Sequence, residues 1–195
     1  DSATPKAVGL WVPVFVHDSS SDAVFSSATR WTEAKSTNET SATPLTEQKF
    51  STLAHVENFR DAGDSDKLTF KLMYPDLHAT RANIWKQTNN PANDAADANN
   101  GVTGYSEIQT HFNLIGSDFF GLEYNGTAGL ADGGIAGNSW FILGTSSLAY
   151  DGTNGFAPDD FRGPQDVGVQ QVQLYVKNPF YTGVPEKVLN LKVIP

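Results

Sequence analysis

Cysteine is absent from this chain of 195 residues. Without thiols the protein has no disulfide framework, no thiolate zinc site, no iron–sulfur cluster and no cysteine nucleophile. Basic residues are also scarce, since 13 Lys and Arg stand against 22 Asp and Glu and leave a formal charge of −9. Nucleic acid and anionic membrane surfaces attract proteins with an excess of positive charge, so neither is an expected partner.

Long hydrophobic runs are missing as well. No stretch approaches the roughly 18 consecutive apolar residues that a membrane-spanning helix requires, and we therefore predict no membrane insertion. The length suits a single domain covering residues 1–195, which is large enough to bury a core without covalent cross-links.

Neutral polar side chains must supply much of the surface. Charged residues make up only 18% of the chain, whereas Ser, Thr and Asn together number 46. This composition is typical of extracellular proteins, and the chain begins at Asp1 without an initiator Met. Two sequons, at Asn38 and Asn125, fit N-glycosylation, although a chain rich in Thr and Asn also forms sequons by chance. We expect a secreted glycoprotein.

The dominant periodicity is that of β-strands. Apolar residues alternate with others from Leu68 to Tyr74 and stop at Pro75. In the apolar run 10–16, Pro13 favours a sheet edge or a bulge because proline cannot donate a ladder hydrogen bond. Further strands are expected at 83–87, 105–114, 119–123, 140–143, 169–176 and 188–194. The spacing predicts a mostly β protein, an antiparallel β-sandwich of jelly-roll-like form.

Residues 44 to about 60 form the one exception to this pattern. Thr43 is a suitable cap and Pro44 suits the first helical position. The residues that fall near one helical face are Leu45, Lys49 through its aliphatic stem, Phe50, Leu53, Val56 and Phe59. Gly63 is a plausible left-handed stop. We predict one amphipathic α-helix packed on the sheet.

Three long loops rich in Gly, Asn and Asp are expected at 89–104, 125–138 and 150–168, and loops of more than about 12 residues are often functional. The third loop contains four Asp and Asn side chains within ten residues: Asp151, Asn154, Asp159 and Asp160. Calcium prefers such hard oxygen ligands and needs neither Cys nor His. We therefore consider calcium a possible cofactor, with a solvated loop without metal as the alternative.

Motifs for catalysis are missing. The chain has no G-x-S-x-G elbow, no H-E-x-x-H zinc helix and no P-loop, and its four histidines are scattered. Pairs of Asp that are close in sequence fall in expected turns, where solvated carboxylates are common. We predict no catalytic residue and no enzymatic activity, although residues distant in sequence can converge in a folded chain.

Two tryptophans are candidate ligand-binding residues. Trp31 and Trp85 both have polar neighbours in the sequence, and an exposed indole stacks well on the face of a sugar. The alternative is that each indole lies at the edge of the hydrophobic core, where tryptophan is usually found.

The order of several short motifs resembles a known group of proteins. The motifs are ENFRDA at 57–62, FKLMYP at 70–75, IWKQTNNP at 84–91, GNSWF at 137–141 and VQLYV at 172–176. Together they resemble an uncharacterised family of cysteine-poor secreted domains from aquatic invertebrates, which implies secretion and one domain but no catalytic residues. Residues 140–148 are also similar to a stretch of fibrinogen-like recognition domains, whose disulfide cysteines this chain lacks.

The sequence as a whole favours a non-enzymatic secreted recognition module that binds glycan through its long loops, with calcium at the third loop. Two other functions stay open. One is a structural protein of an extracellular matrix that assembles with copies of itself. The other is a carrier of a small apolar ligand or pigment, suggested by the 11% aromatic content.

Overall fold

The computed structural model describes residues 10–18, 35–76, 78–93, 102–111, 120–124, 130–132, 161–162, 168–169 and 171–181. Its strands are β1 (Trp11–Asp18), β2 (Lys49–Ser51), β3 (Leu68–Met73), β4 (Asn83–Gln87), β5 (Ser106–Gln109), β6 (Leu122–Tyr124), β7 (Leu130–Asp132), β8 (Phe161–Arg162), β9 (Gly168–Val169) and β10 (Gln171–Lys177). The main sheet has six strands in the order β2-β1-β10-β3-β4-β5, with antiparallel neighbours throughout. Two hairpins, β6–β7 and β8–β9, form two-stranded sheets. The protein is therefore mostly β, and the main sheet does not close on itself.

Period-two alternation located the central strands of this sheet well. Strand β4 has the predicted bounds, and β3 ends one residue earlier than predicted. The expected strand 169–176 is divided between β9 and β10. Strands expected at 140–143 and 188–194 lie outside the described residues.

Strand β1 contains the bulge that Pro13 predicted. Its pairing with β10 passes from Pro13↔Tyr175 directly to Phe15↔Leu174, so Val14 is the extra residue. As a whole β1 is not an edge strand, because it lies between β2 and β10. Strand β2 pairs only with residues 15–17, so β1 has no β2 partner opposite its proline.

The prediction of one α-helix over residues 44–60 is wrong. The segment forms a 3-10 helix at Pro44–Thr46, the strand β2, and a second 3-10 helix at Leu53–Phe59. Leu53, Val56 and Phe59 are buried, and their spacing of three matches the three residues per turn of a 3-10 helix. The apolar residues between 44 and 60 therefore belong to three short elements and not to one helical face.

The predicted end signals of that helix also differ from the structure. Pro44 does begin a helix, but the side chain of Thr43 makes no capping hydrogen bond. The second 3-10 helix ends in extended backbone at Arg60, and Gly63 does not have a positive φ. Among the described residues of the following turn, Ser65 and Asp66 are left-handed, with φ of 54° and 58°.

The hydrophobic core lies on one face of the six-stranded sheet. Residues of β1, β3, β4 and β10 that point to this face are buried together with the second 3-10 helix and Leu122: Val12, Phe15, Leu68, Phe70, Leu72, Trp85, Val172, Leu174 and Val176. Trp85 stacks on Phe70 across the β3–β4 pair, with ring centroids 5.5 Å apart. In the part of the chain that the structure describes, no helix is long and apolar enough to cross a membrane.

Candidate functional site

The second face of the main sheet, here called the outer face, has a different character. In β10 the buried residues Val172, Leu174 and Val176 alternate with Gln171, Gln173, Tyr175 and Lys177, which therefore point to the outer face. The pairing of β10 with β1 and β3 places Asp18 beside Gln171 and Lys71 beside Tyr175 on this face. The outer face is thus a mixture of amide, charged and aromatic groups.

A pocket of about 210 Å³, here called the polar pocket, lies at one end of the outer face. Strands β1 and β10 and the first 3-10 helix supply its lining: Val16, His17, Asp18, Leu45, Thr46, Glu47, Gln171 and Gln173. Two carboxylates, two amides and a hydroxyl therefore surround one small volume. Val16 and Leu45 add apolar surface to this lining.

Strand pairing positions the Asp18 side of the pocket. Gln171 Nε2 donates a hydrogen bond of 2.8 Å to Asp18 Oδ2, and the backbone N–H of Asp18 donates to the carbonyl of Gln48 at 2.8 Å. The first bond joins Asp18 to strand β10. The second joins it to Gln48, the residue that precedes strand β2. The carboxylate is thereby fixed relative to both β10 and β2, which reduces the entropy that ligand binding would remove.

Glu47 is held from the opposite side. It follows the first 3-10 helix, and its N–H donates to the Pro44 carbonyl at 3.3 Å. Ser41 Oγ donates to Glu47 Oε1 at 2.7 Å, while the N–H of Ser41 donates to the carbonyl of Asn38 at 2.9 Å. Ser41 is therefore a positioning residue for the Glu47 carboxylate.

Gln173 connects the polar pocket with the aromatic part of the outer face. The hydroxyl of Tyr175 donates to Gln173 Oε1 at 2.6 Å. Because this bond uses the amide oxygen, the amide N–H groups are the donors that Gln173 can present to the pocket.

An aromatic cluster, consisting of Trp11, Lys71 and Tyr175, follows further along β1, β3 and β10. The Lys71 ammonium lies 5.1 Å from the ring centroid of Trp11 and 4.1 Å from that of Tyr175. Burial lowers the pKa of Lys71, and burial raises the pKa of the Tyr175 hydroxyl. With a rise of about 3.3 Å per strand residue, the cluster begins about 13 Å from Gln171.

The structure does not place Trp85 where a ligand could reach it. Its side chain is completely buried, one ring face packs on Phe70, and Nε1 donates to Gln87 Oε1 at 2.7 Å. This position corresponds to the alternative of a core tryptophan and does not support stacking on a sugar. The other candidate, Trp31, lies outside the described residues.

The predicted calcium ligands Asp151, Asn154, Asp159 and Asp160 also lie outside the described residues, as do the Asn125 sequon and most of the three long loops. Within the described ranges, no three His, Asp or Glu side chains come together in a group that could hold a metal ion. Calcium binding at the third loop therefore stays a prediction.

The Asn38 sequon lies on the surface, in a turn where Asn38 has a φ of 52°. Its Nδ2 donates to the carbonyl of Lys49 at 2.8 Å. Since one N–H of an amide suffices for this bond, the second hydrogen can be replaced by a glycan, and glycosylation of Asn38 stays a prediction.

Sequence reasoning missed all the polar residues of the pocket. Asp18 and Gln171 are separated by 153 positions, and only the β1–β10 pairing brings them together. One signal was present, because Gln171 and Gln173 alternate with buried apolar residues in a central strand. A strand of this kind presents its amides to the face opposite the core.

Comparison with known proteins identified no relative of this chain. No protein-family model, no curated protein and no solved structure matches the chain.

Proposed function

We propose that this protein is a non-enzymatic secreted recognition module that binds glycan in the polar pocket. The observation that carries the proposal is the lining of the pocket, in which Asp18, Glu47, Gln171 and Gln173 surround about 210 Å³. Sugar hydroxyls both donate and accept hydrogen bonds. Carboxylates accept and amides do both, so this set of side chains complements a sugar ring.

The size of the pocket supports a single sugar unit as its occupant. Drug-sized ligands occupy pockets of roughly 300–1,000 Å³, and the polar pocket is smaller. Leu45, 49% exposed, offers apolar surface to the C–H face of a ring. Further units of an oligosaccharide would extend along the outer face toward the half-buried ring of Trp11, since an indole suits sugar stacking.

Secretion and calcium belong to the same proposal. Secretion is supported by the neutral polar composition and the two sequons, and calcium by the oxygen-rich residues of the third loop. Melting temperatures measured with calcium and with a chelator test the metal. A rise of several degrees with calcium is expected, and identical curves would remove calcium from the proposal.

A β-sandwich is the architecture that we propose around this sheet. Leu122 at the start of β6 is completely buried in the core, and its N–H and C=O both bond to the side chain of Gln87 in β4. This contact supports an arrangement in which the β6–β7 hairpin is part of a second layer over the core face.

A glycan array followed by titration calorimetry tests glycan binding. Gln173→Ala and Glu47→Gln are expected to weaken binding about tenfold each, because each removes groups that line the pocket. Gln109→Ala and Glu107→Gln, on the exposed strand β5, are matched controls that should bind like the parent protein. Binding that survives both pocket substitutions unchanged would contradict the site, and release of reducing sugar would contradict the non-enzymatic assignment.

Self-assembly is a second candidate, favoured by one observation. All four residues of β5, which is one of the two edge strands of the main sheet, are exposed, and Ile108 is 52% exposed. Exposed edges of this kind pair with other chains. Sedimentation of the parent protein and of Ile108→Lys tests it: a dimer that the substitution dissociates supports assembly, and a strict monomer at high concentration contradicts it. The polar lining of the pocket gives no support to the third candidate, a carrier of apolar ligands.

A further inference from the structure

Exposed apolar side chains gather at one end of the β1–β10 pair, in a surface here called the apolar end. It consists of Leu10, which precedes β1, and of Phe180 and Tyr181, which follow β10. The Phe180 side chain is 73% exposed and Leu10 is 40% exposed. Apolar groups that cluster in water in this way mark a surface that contacts another molecule.

A buried asparagine holds the apolar end in a fixed shape. The N–H of Asn178 donates to the carbonyl of Leu10 at 2.8 Å. Asn178 Oδ1 accepts from the N–H of Phe180 at 3.0 Å, and its carbonyl accepts from the N–H of Tyr181 at 3.3 Å. The turn after β10 is thus tied to the start of β1. A surface that is already ordered loses little entropy when a partner covers it.

Lysine supplies positive charge beside the apolar end. Lys177 pairs with Trp11 in the strand register, and among the described residues no carboxylate lies within ion-pairing distance of the Lys177 ammonium. Asp64 pairs with Lys86 instead, and this contact lowers the pKa of Asp64 more than the more distant Lys177 does. A partner for this end therefore needs both apolar surface and negative charge.

The opposite end of the same two strands offers that combination. On the rim of the polar pocket, Leu45 is 49% exposed and Glu47 accepts from the neutral hydroxyl of Ser41 at 2.7 Å. Within the described ranges no cation lies within ion-pairing distance of Glu47. The seven residues of β10 separate the two ends by about 20 Å, so the two surfaces cannot meet within one chain.

We propose that copies of this chain associate head to tail, with the apolar end of one copy against the Leu45–Glu47 rim of the next. In this contact Phe180 covers Leu45, and Lys177 pairs with Glu47. Because the two surfaces differ, every copy keeps one surface of each kind for a further neighbour, and the contact repeats into an open chain of copies. The inference goes beyond glycan binding and does not depend on it.

Sedimentation velocity over a range of protein concentrations tests the contact. The parent is expected to form species larger than a dimer as the concentration rises, and added salt should weaken the association by screening the charges. Phe180→Ser should weaken it about tenfold, because the contact loses a buried ring. Ile108→Ser removes another exposed apolar side chain, on β5, and is the matched control that should leave the association unchanged.

Reversal of the two charges provides a test by recovery. Lys177→Glu and Glu47→Lys should each weaken self-association at least about tenfold, since like charges then meet in the contact. An equimolar mixture of the two variants should associate again, because every contact between unlike copies joins opposite charges. Unfolded variants would not regain a specific contact, and melting curves of each variant check the fold.

Three results would overturn the proposal. The first is a parent protein that stays monomeric at high concentration or stops at a dimer. The second is a mixture of the two folded charge-reversed variants that stays monomeric. The third is association that is lost in Ile108→Ser but kept in Phe180→Ser, which would place the contact at the β5 edge. Lys177 and Phe180 do not line the polar pocket, so each of these results leaves the proposed glycan binding intact.

Discussion

At the scale of single residues, the buried Gln87 amide makes four hydrogen bonds. Its Oε1 accepts from Trp85 Nε1 at 2.7 Å and from the Leu122 N–H at 3.0 Å. Its Nε2 donates to the carbonyls of Leu122 at 2.9 Å and Asn89 at 3.0 Å. The side chain is completely buried and every donor and acceptor position of the amide is used. The Gln87 side chain therefore forms with the backbone of Leu122, the first residue of β6, the pair of hydrogen bonds that a neighbouring strand would otherwise form.

We expect Gln87→Glu to destabilise the protein by about 3 kcal/mol. A carboxylate has no N–H to donate to the two carbonyls, and burying its charge or its proton there leaves groups unpaired. Urea unfolding measures the loss. Gln109→Glu makes the same chemical change on the exposed strand β5 and should cost no more than about 0.5 kcal/mol. Equal effects at both positions would contradict the role of Gln87.

Gly121 is the glycine that this network requires. It has a φ of 89°, and an added Cβ would lie 2.9 Å from Gln87 Oε1 and 3.2 Å from Trp85 Nε1. Because the left-handed conformation already disfavours a side chain and the neighbouring atoms are buried, Gly121→Ala should cost about 2–3 kcal/mol.

The control for this glycine is Gly63→Ala. Gly63 lacks a positive φ, and its nearest neighbour, Asp61 Oδ1, belongs to a side chain that can move. Thermal unfolding of both variants should show a clear loss for position 121 and a change within about 1 kcal/mol for position 63. A tolerated alanine at 121 would show that the loop before β6 can adjust.

At the scale of elements, Arg60 joins three of them. Its guanidinium forms a bidentate pair with Glu57 of the second 3-10 helix, at 2.7 and 2.6 Å. It also donates at 2.7 Å to the carbonyls of Asp66, in the following turn, and Thr88, directly after β4. Arg60 thus holds the end of the helix, the turn and the end of a core strand together.

Arg60→Gln is expected to destabilise the protein by about 2 kcal/mol, because the shorter side chain cannot reach all three elements and leaves carbonyls unpaired. Arg81→Gln is the matched control, since Arg81 is exposed. Denaturant midpoints at constant slope give the comparison. Equal denaturant midpoints for the two variants would show that the contacts of Arg60 make no net contribution to the free energy of unfolding.

The pH dependence of stability should report the same pair. The Arg60 hydrogen bonds hold the pKa of Glu57 below its ordinary value. A lowered folded-state pKa contributes stability above the unfolded value of about 4.3, and that stability is lost as the pH falls through the folded value. Since the Glu57 side chain is 46% exposed, solvent screening limits the contribution to about 1 kcal/mol or less.

Urea unfolding of the parent protein and of Glu57→Gln at neutral and strongly acidic pH checks this expectation. The parent should be the more stable of the two near pH 7, and the difference should shrink toward zero at about pH 2 to 3, where the carboxyl is protonated. A difference that grows in acid would have the opposite sign and would contradict the depressed pKa.

The length of an element decided whether the sequence predicted it correctly. The period of two in β3 and β4 is imposed by one buried face, so it located both strands. Between 44 and 60 the apolar residues satisfied a helical pattern over too long a window, since Phe50 belongs to β2 and only Leu53, Val56 and Phe59 share a helix. Those three buried residues are spaced by three, as the three residues per turn of a 3-10 helix require.

At the scale of the whole molecule, the sheet order decides where the candidate site lies. Strands β1 and β10 are neighbours in the middle of the sheet, with β3 on the other side of β10. Residues far apart in sequence meet there, which is why composition and local motifs found neither the polar pocket nor the aromatic cluster. The β class was predictable from local patterns, whereas the strand order depends on pairings that no local pattern encodes.

Hydrogen exchange should map this order directly. Amide protons of β10 and β3 lie between paired strands on both sides and face a packed core, so they should exchange slowest. Amide protons of β5, all of whose residues are exposed, should exchange fastest among the six strands. Slow exchange of the β5 amides at low protein concentration would show that another segment of the same chain covers this edge. Slow exchange only at high protein concentration would support self-assembly.

The placement of β10 between β1 and β3 also determines when the protein can fold during its synthesis. The ribosome releases β1 first, yet the strand that joins β1 to β3 is complete only after residue 177 has emerged. Contacts between such distant residues form slowly because the intervening chain must be ordered first. The nascent chain therefore carries the apolar strand β1 without its central partner until β10 has emerged, and apolar strands exposed in this way are prone to aggregate.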